Sequence, residues 1–184
     1  MAKSRKRHNE YRDFAFISQK SLRSDIEDAL GFAAWLITKK TKNKIHKREL
    51  YRVVVLYIAS VVEALCSYLL DENNLKIEET KYKSPTTVKL PDDVSVPQGK
   101  ILAVVWCNKK EICPPKISFK DSINKLMSSG ILSEKFAKKL HVLRDKRNSQ
   151  HLYKRSTKNV STRDVNFSVK ILSELLDIIR KGKN

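Results

Sequence analysis

Four polar residues in the C-terminal half of the chain are spaced as one face of a helix: Arg144, Arg147, Asn148 and His151. At about 100° per residue, the seven-residue step from Arg144 to His151 places the two almost in line along a helix. Arginine presents a permanently charged fork that suits phosphate oxygens, and histidine can take and give a proton near neutral pH. Together they are the minimum for metal-free RNA cleavage, in which the ribose 2′-hydroxyl attacks its own phosphate. We call these four residues the Arg/His array.

The element that must position the array is the helix that ends in it. Phe136, Leu140 and Leu143 recur at i, i+4 and i+7, as on a helix with one buried face. The same stripe continues at Arg147 and His151, where the pattern calls for apolar residues. The alternative interpretation is an ordinary helix C-terminus, where cations complement the dipole and His151 only caps or is solvated.

The segment Leu-Arg-x-x-Arg-Asn-x-x-His-Leu at 143–152 resembles the signature of HEPN (higher eukaryotes and prokaryotes nucleotide-binding) domains. In that signature an arginine is followed four to six residues later by a histidine, and a polar residue commonly follows the arginine. Arg144 fits the longest spacing, whereas Arg147 has the polar neighbour Asn148 but lies closer to His151. Both arginines therefore remain candidates for the family's role.

The resemblance implies a metal-independent endoribonuclease without a cofactor, active as a homodimer in a defence, toxin or RNA-processing role. Two protomers would pack their array helices together and line one cleft. Arg144 and Arg147 would hold the phosphate, His151 would act as general base or acid, and Asn148 would orient the substrate or the imidazole. The alternative is a non-catalytic HEPN-like module that binds RNA or a partner protein.

Tyr153 adds a further expectation. The ending His151-Leu152-Tyr153 resembles the His-x-Tyr of HEPN toxins that a partner nucleotidyltransferase silences by modifying the tyrosine. A nucleotide there would place negative charge beside the array. An antitoxin or nucleotidyltransferase is therefore an expected partner, and an ordinary exposed tyrosine is the alternative.

Charge dominates the composition of the 184 residues. The net charge of +18 predicts attraction to polyanions, with RNA as the expected partner. A membrane surface is the other candidate, and a generally lysine-rich surface is the plain explanation. Three cysteines and a basic start with no apolar segment behind it indicate a reducing, cytoplasmic location.

The fold expected is all-α, an up-and-down bundle of four or five helices. Residues 1–12 are predicted to be a basic flexible tail and 13–184 a single HEPN-like domain. The segment 50–70 is apolar almost all round, and we expect a buried core helix there rather than a membrane span. Glu63 within it needs a partner, for which Arg144 or Arg147 is the candidate, with solvent or a lysine as the alternative. The last helix should bury one stripe: Val165, Val169, Leu172, Leu176 and Ile179.

The region at about 76–116 differs from the rest because it holds all five prolines. We predict an insertion there with a small β-hairpin, built from strands at 86–90 and 100–107. Such an insertion often acts as a lid or substrate-binding loop. Cys107 and Cys113 have no histidine or second cysteine pair beside them, so no metal site is predicted.

Overall fold

The structure is a computed structural model that describes residues 14–82, 107–112, 117–150 and 160–182. These residues form five helices and two strands: α1 (Lys20–Thr38), α2 (Lys44–Glu72), β1 (Ile77–Tyr82), β2 (Cys107–Ile112), α3 (Phe119–Ser128), α4 (Glu134–Ser149) and α5 (Thr162–Lys181). Most of the described residues lie in the five helices, which confirms the predicted helical bundle.

Helix α2 is the centre of the bundle and is contacted by α1, α3, α4 and α5. Twelve of its 29 residues are buried, including Val54, Ile58, Val62, Leu65 and Leu69. It is also the one helix of the described residues long and apolar enough to cross a membrane, a test that a soluble core helix passes equally. The prediction of a central buried helix is confirmed.

The helix starts earlier than the apolar run that predicted it. The Asn43 side-chain oxygen accepts hydrogen bonds from the backbone N–H groups of Ile45 and His46, at 2.8 and 3.3 Å. An asparagine at this position satisfies donors that have no partner within the helix. Helix α2 therefore begins at Lys44, six residues before the apolar run starts at Leu50.

One strip of α2 is only partly covered by the other helices. Tyr57 and Ser60 are exposed, and Glu63, Ala64 and Ser67 are half-buried. These positions recur every three or four residues, so they lie on the same side of the helix. The helix is therefore apolar on a broad face rather than all round, and Glu63 lies within the strip that it leaves open.

Capping residues fix where the C-terminal helices begin. The Ser133 hydroxyl accepts a hydrogen bond from the backbone N–H of Phe136, as expected for the residue before α4. Before α5, Ser161 and Asp164 form a reciprocal capping box. Gly130, with a φ of +79°, follows α3 in the left-handed conformation that glycine adopts at little cost.

The predicted stripe of α5 is partly wrong. Val169 is 45% exposed, whereas Ser168 and Leu175 are fully buried. Both sets of positions recur at helical spacing, and pattern alone favours the apolar valine over the serine. Ser168 tolerates burial because its hydroxyl donates to the carbonyl of Asp164, one turn earlier in the helix, at 2.9 Å.

The two strands pair antiparallel, with Ile77 opposite Ile112 and Tyr82 opposite Cys107. They lie at the base of the predicted insertion rather than at the predicted strand positions. The segments 86–90 and 100–106, and the tail at 1–12, lie outside the described residues. The hairpin within the insertion therefore stays a prediction.

Candidate functional site

Three members of the Arg/His array lie on the last turns of α4. Arg144 and Arg147 are half-buried and Asn148 is exposed. The helix ends at Ser149, with Gln150 as its C-cap. His151 and Tyr153 lie outside the described residues, so the structure brings together the arginines and the asparagine of the array without placing the histidine.

Arg147 forms an ion pair with Glu63, which joins α4 to the open strip of α2. The Arg147 Nη2 lies 2.9 Å from the Glu63 Oε2, and each side chain is 27% exposed. The prediction that one of the two arginines is the partner of Glu63 is confirmed for Arg147. The carboxylate is half-buried rather than enclosed in the core, so it keeps part of its contact with solvent.

Arg144 has different neighbours. Its Nη2 and Nε lie 2.6 and 3.0 Å from the Asp145 Oδ1, and its side chain is 19% exposed. Its Nη1 donates to the Nδ1 of His141, at 3.0 Å. The two arginines of the array therefore reach separate carboxylates, Arg147 across to α2 and Arg144 to its own helix.

His141 has a defined tautomer in this arrangement. Arginine carries only donors, so the Nδ1 that receives the Arg144 hydrogen bond must be unprotonated. The proton of the neutral ring then lies on Nε2, which donates to the Asn124 Oδ1 on α3 at 3.1 Å. Burial, together with the charge of Arg144 and more weakly of Lys120, lowers the pKa of His141, and Asp145 only partly opposes this.

A second polar contact fixes the end of α4. The buried Arg52 of α2 donates from Nε to the Oε1 of Gln150, which is also buried, at 2.9 Å. The Arg52 guanidinium also pairs with Glu49, at 2.9 Å. A charged group with 7% exposure needs such partners, because an unpaired buried charge is very costly. The chain is thus held on α2 at the residue directly before His151.

Sequence reasoning missed both Gln150 and His141 as parts of this region. The stripe of Leu140 and Leu143 continues to Gln150 at i+10 and i+7, a position that a period of 3.6 allows as readily as His151. His141 lies three residues before Arg144, the spacing at which helical neighbours meet. Both spacings are visible in the sequence, but neither identifies the residue on another helix that Gln150 or His141 contacts.

The arrangement can bind an anion without a metal. An arginine has five N–H donors, and a single carboxylate leaves part of that fork available for phosphate oxygens. Among the described residues, no group of three His, Cys, Asp or Glu side chains could hold a metal ion. Cys66 is fully buried, and burial raises the pKa of its thiol, so it acts as a small core residue.

Comparisons of the chain with protein-family models, with curated proteins and with solved structures found no match.

The Arg144–His141 contact has a measurable consequence. We expect Arg144→Gln to raise the pKa of His141 toward its ordinary value of about 6.5, because a neighbouring cation is removed. Since folding lowers this pKa, the unfolded chain takes up the proton first. The stabilising contribution of His141 is therefore present above about pH 6.5 and is lost as the pH falls through the pKa in the folded protein.

Nuclear magnetic resonance titration of the histidine ring carbons measures this pKa, with His141→Gln assigning the signal. The exposed cation Lys138 on the same helix supplies the control, Lys138→Gln, which should leave the His141 titration unchanged. A His141 pKa that stays the same in Arg144→Gln would contradict the assigned contact.

Proposed function

We propose that the chain is a metal-independent endoribonuclease of HEPN type, acting in the cytoplasm in a defence, toxin or RNA-processing role. The observation that carries the proposal is the Arg147–Glu63 ion pair at the end of α4. A side chain that stabilises a transition state must be held in position before the reaction, because reorganisation during the reaction costs rate. Glu63 supplies such a hold for one arginine of the motif.

In the proposed reaction the ribose 2′-hydroxyl attacks the adjacent phosphorus and the bond to the 5′-oxygen of the next nucleotide breaks. A base takes the 2′-hydroxyl proton, and an acid returns a proton to the leaving oxygen. The products are a 2′,3′-cyclic phosphate and a 5′-hydroxyl. His151 acts as base or acid, and Arg144 and Arg147 stabilise the charge that builds on the phosphorane.

A second candidate function is a non-catalytic HEPN-like module that binds RNA or a partner protein. The observation that favours it is that both arginines already have carboxylate partners, Asp145 for Arg144 and Glu63 for Arg147. Each carboxylate offsets charge that a phosphate would otherwise meet. In this case the array acts as a weak anion clamp without proton transfer.

The insertion at about 76–116 forms part of the same proposal. A β-hairpin there would serve as a lid or substrate-binding loop. The antiparallel pairing of β1 with β2 supports it, since this pairing brings the two ends of the segment together at the base of the insertion.

The first test of function is cleavage by variants of the array. We expect His151→Ala to slow cleavage by about 10²- to 10⁴-fold with RNA binding nearly intact, since proton transfer is lost and the cationic surface is kept. Arg147→Ala should lose cleavage and some binding. The assay follows formation of the 2′,3′-cyclic phosphate on a labelled RNA in the presence of a metal chelator.

The matched control is Asn166→Ala, at an exposed polar residue on α5 away from the array. It should cleave at the parent rate. If the His151 variant also cleaves at that rate, His151 is not catalytic. If the parent chain binds RNA but yields no cyclic phosphate, the binding module is correct and the nuclease is wrong.

A homodimer follows from the need for two proton carriers. One array offers one imidazole at 151, whereas transesterification is helped by a base on one side of the phosphate and an acid on the other. A two-fold axis beside the helix would supply the second histidine. We expect activity per protomer to fall on dilution, and low salt without RNA to loosen the dimer, because the positive protomers repel each other. A monomer by light scattering at fully active concentrations would contradict the shared site.

The proposed modification of Tyr153 is tested by mass. If a partner nucleotidyltransferase acts on the chain, the intact protein from its native host should gain the mass of a nucleotide, and Tyr153→Phe should not. The added charge would compete with substrate phosphate for the arginines. An unmodified mass of the chain in the presence of the partner would contradict the proposed modification of Tyr153.

A further inference from the structure

Three exposed aromatic rings and one lysine form a continuous row on the outer side of α1 and α2. Phe32, Trp35 and Tyr57 are 40%, 50% and 38% exposed. The Phe32 ring centroid lies 5.1 Å from that of Tyr57 and 5.5 Å from that of Trp35, and the Lys39 Nζ lies 4.1 Å from the Trp35 ring centroid. We call these four residues the aromatic row. Clustered exposed rings are uncommon on a protein surface and mark an interaction site.

A basic turn lies at one end of this row. Residues 39–48, Lys-Lys-Thr-Lys-Asn-Lys-Ile-His-Lys-Arg, contain six lysines and arginines and no acidic residue. Most of these side chains are exposed. Helix α2 begins at Lys44, within this basic segment. The first helical turn of α2 has no acidic residue, although the positive end of a helix dipole favours one. The segment thus places positive charge at the end of α2 where the helix dipole is already positive.

The charge changes sign along α1. Asp28, Phe32, Trp35 and Lys39 lie at i, i+4, i+7 and i+11, so they share one face of the helix. Asp28 is exposed at the end of the row that lies away from the basic turn. A polyanion would therefore enter from the basic turn and reach the rings, and Asp28 marks the far limit of the surface.

We propose that the aromatic row and the basic turn bind single-stranded nucleic acid. Unpaired bases stack on exposed rings whatever their sequence, and their phosphates are neutralised by nearby lysines. A duplex offers phosphates but keeps its bases stacked on one another. A second copy of this chain fits poorly, since two basic turns of the same sign would meet. The inference does not rest on the proposed cleavage, because it concerns α1 and α2 rather than the Arg/His array.

The test uses the full chain with Trp106→Phe, which leaves Trp35 as the only tryptophan. The probe is a short 2′-O-methyl oligouridine, which has no free 2′-hydroxyl and so cannot be cleaved by the proposed reaction. We expect its binding to quench the Trp35 fluorescence. In the otherwise unchanged chain, Trp35→Ala should weaken binding of a dye-labelled probe by about 5- to 150-fold, the range that corresponds to loss of one base–aromatic stack.

Two further variants separate stacking from charge and from folding. Trp35→Phe should recover most of the affinity, whereas the control Val169→Ala, at a similarly exposed apolar side chain on α5, should leave it unchanged. Lys39→Gln with Lys40→Gln should lower the slope of log affinity against log salt by about 0.7 per charge, as for single strands. Circular dichroism melting checks that each variant is folded.

Four outcomes would overturn the proposal. The first is parent affinity in a folded Trp35→Ala chain. The second is equal, Trp35-dependent binding of a duplex of the same length. The third is a dimer that Trp35→Ala converts to monomers with nucleic-acid affinity unchanged, which would make the row an interface between copies. The fourth is Trp35 quenching by vesicles of anionic lipid but not by the oligonucleotide. Loss of cleavage in His151→Ala leaves this proposal standing, and loss of binding in Trp35→Ala leaves the array chemistry standing.

Discussion

The arrangement of the bundle depends on covering the apolar surface of α2. A helix of 29 residues with 12 buried positions cannot be covered by one partner, and α1, α3, α4 and α5 each take a part of it. Burial of side chains of this kind is worth roughly 1.5–3 kcal/mol each before the entropy of ordering is subtracted. The strip that stays open is the one that carries Tyr57, Ser60 and Glu63. Polar and aromatic groups are tolerated there because the strip keeps part of its contact with solvent.

Two polar contacts, at well separated positions on α2, hold the end of α4 against that helix. Arg52 and Glu63 are separated by about 16 Å along α2, given a rise of about 1.5 Å per residue. Their partners, Gln150 and Arg147, are within one turn of each other on α4. Arg52 reaches from α2 to the end of α4, and Arg147 reaches from α4 back to α2, so two well separated positions on α2 contact one short segment of α4. Sliding or rotating α4 would break one of the contacts, so the point from which residue 151 continues is fixed relative to α2.

The sequence predicted the helices better than the pairings between them. Hydrophobic periodicity predicted α4, because the local spacing of apolar residues decides which face of a helix is buried. Whether Glu63 meets Arg144 or Arg147 was left open, since two arginines three residues apart lie on neighbouring positions of one face. The contact between Arg52 and Gln150 spans 98 residues, and neither residue type signals burial on its own. Such pairings depend on how the helices pack against one another, and the hydrophobic pattern of a single helix does not give that information.

The placement of charge at the start of α2 differs from that at the starts of α3, α4 and α5. Cations occupy the last turns of α4 and α5, Lys146 and Arg147 in one and Arg180 and Lys181 in the other, where the dipole favours them. At the start of α2 the same charge opposes the dipole. A generally lysine-rich composition does not explain this, because acidic residues are available and α3, α4 and α5 each have one in the first turn. The first turn of α1 likewise has no acidic residue, so the distinguishing feature of α2 is the run of cations at residues 39–48 around its start. Like charge concentrated at the positive end of a helix is typical of a functional surface, where binding of an anion offsets the cost.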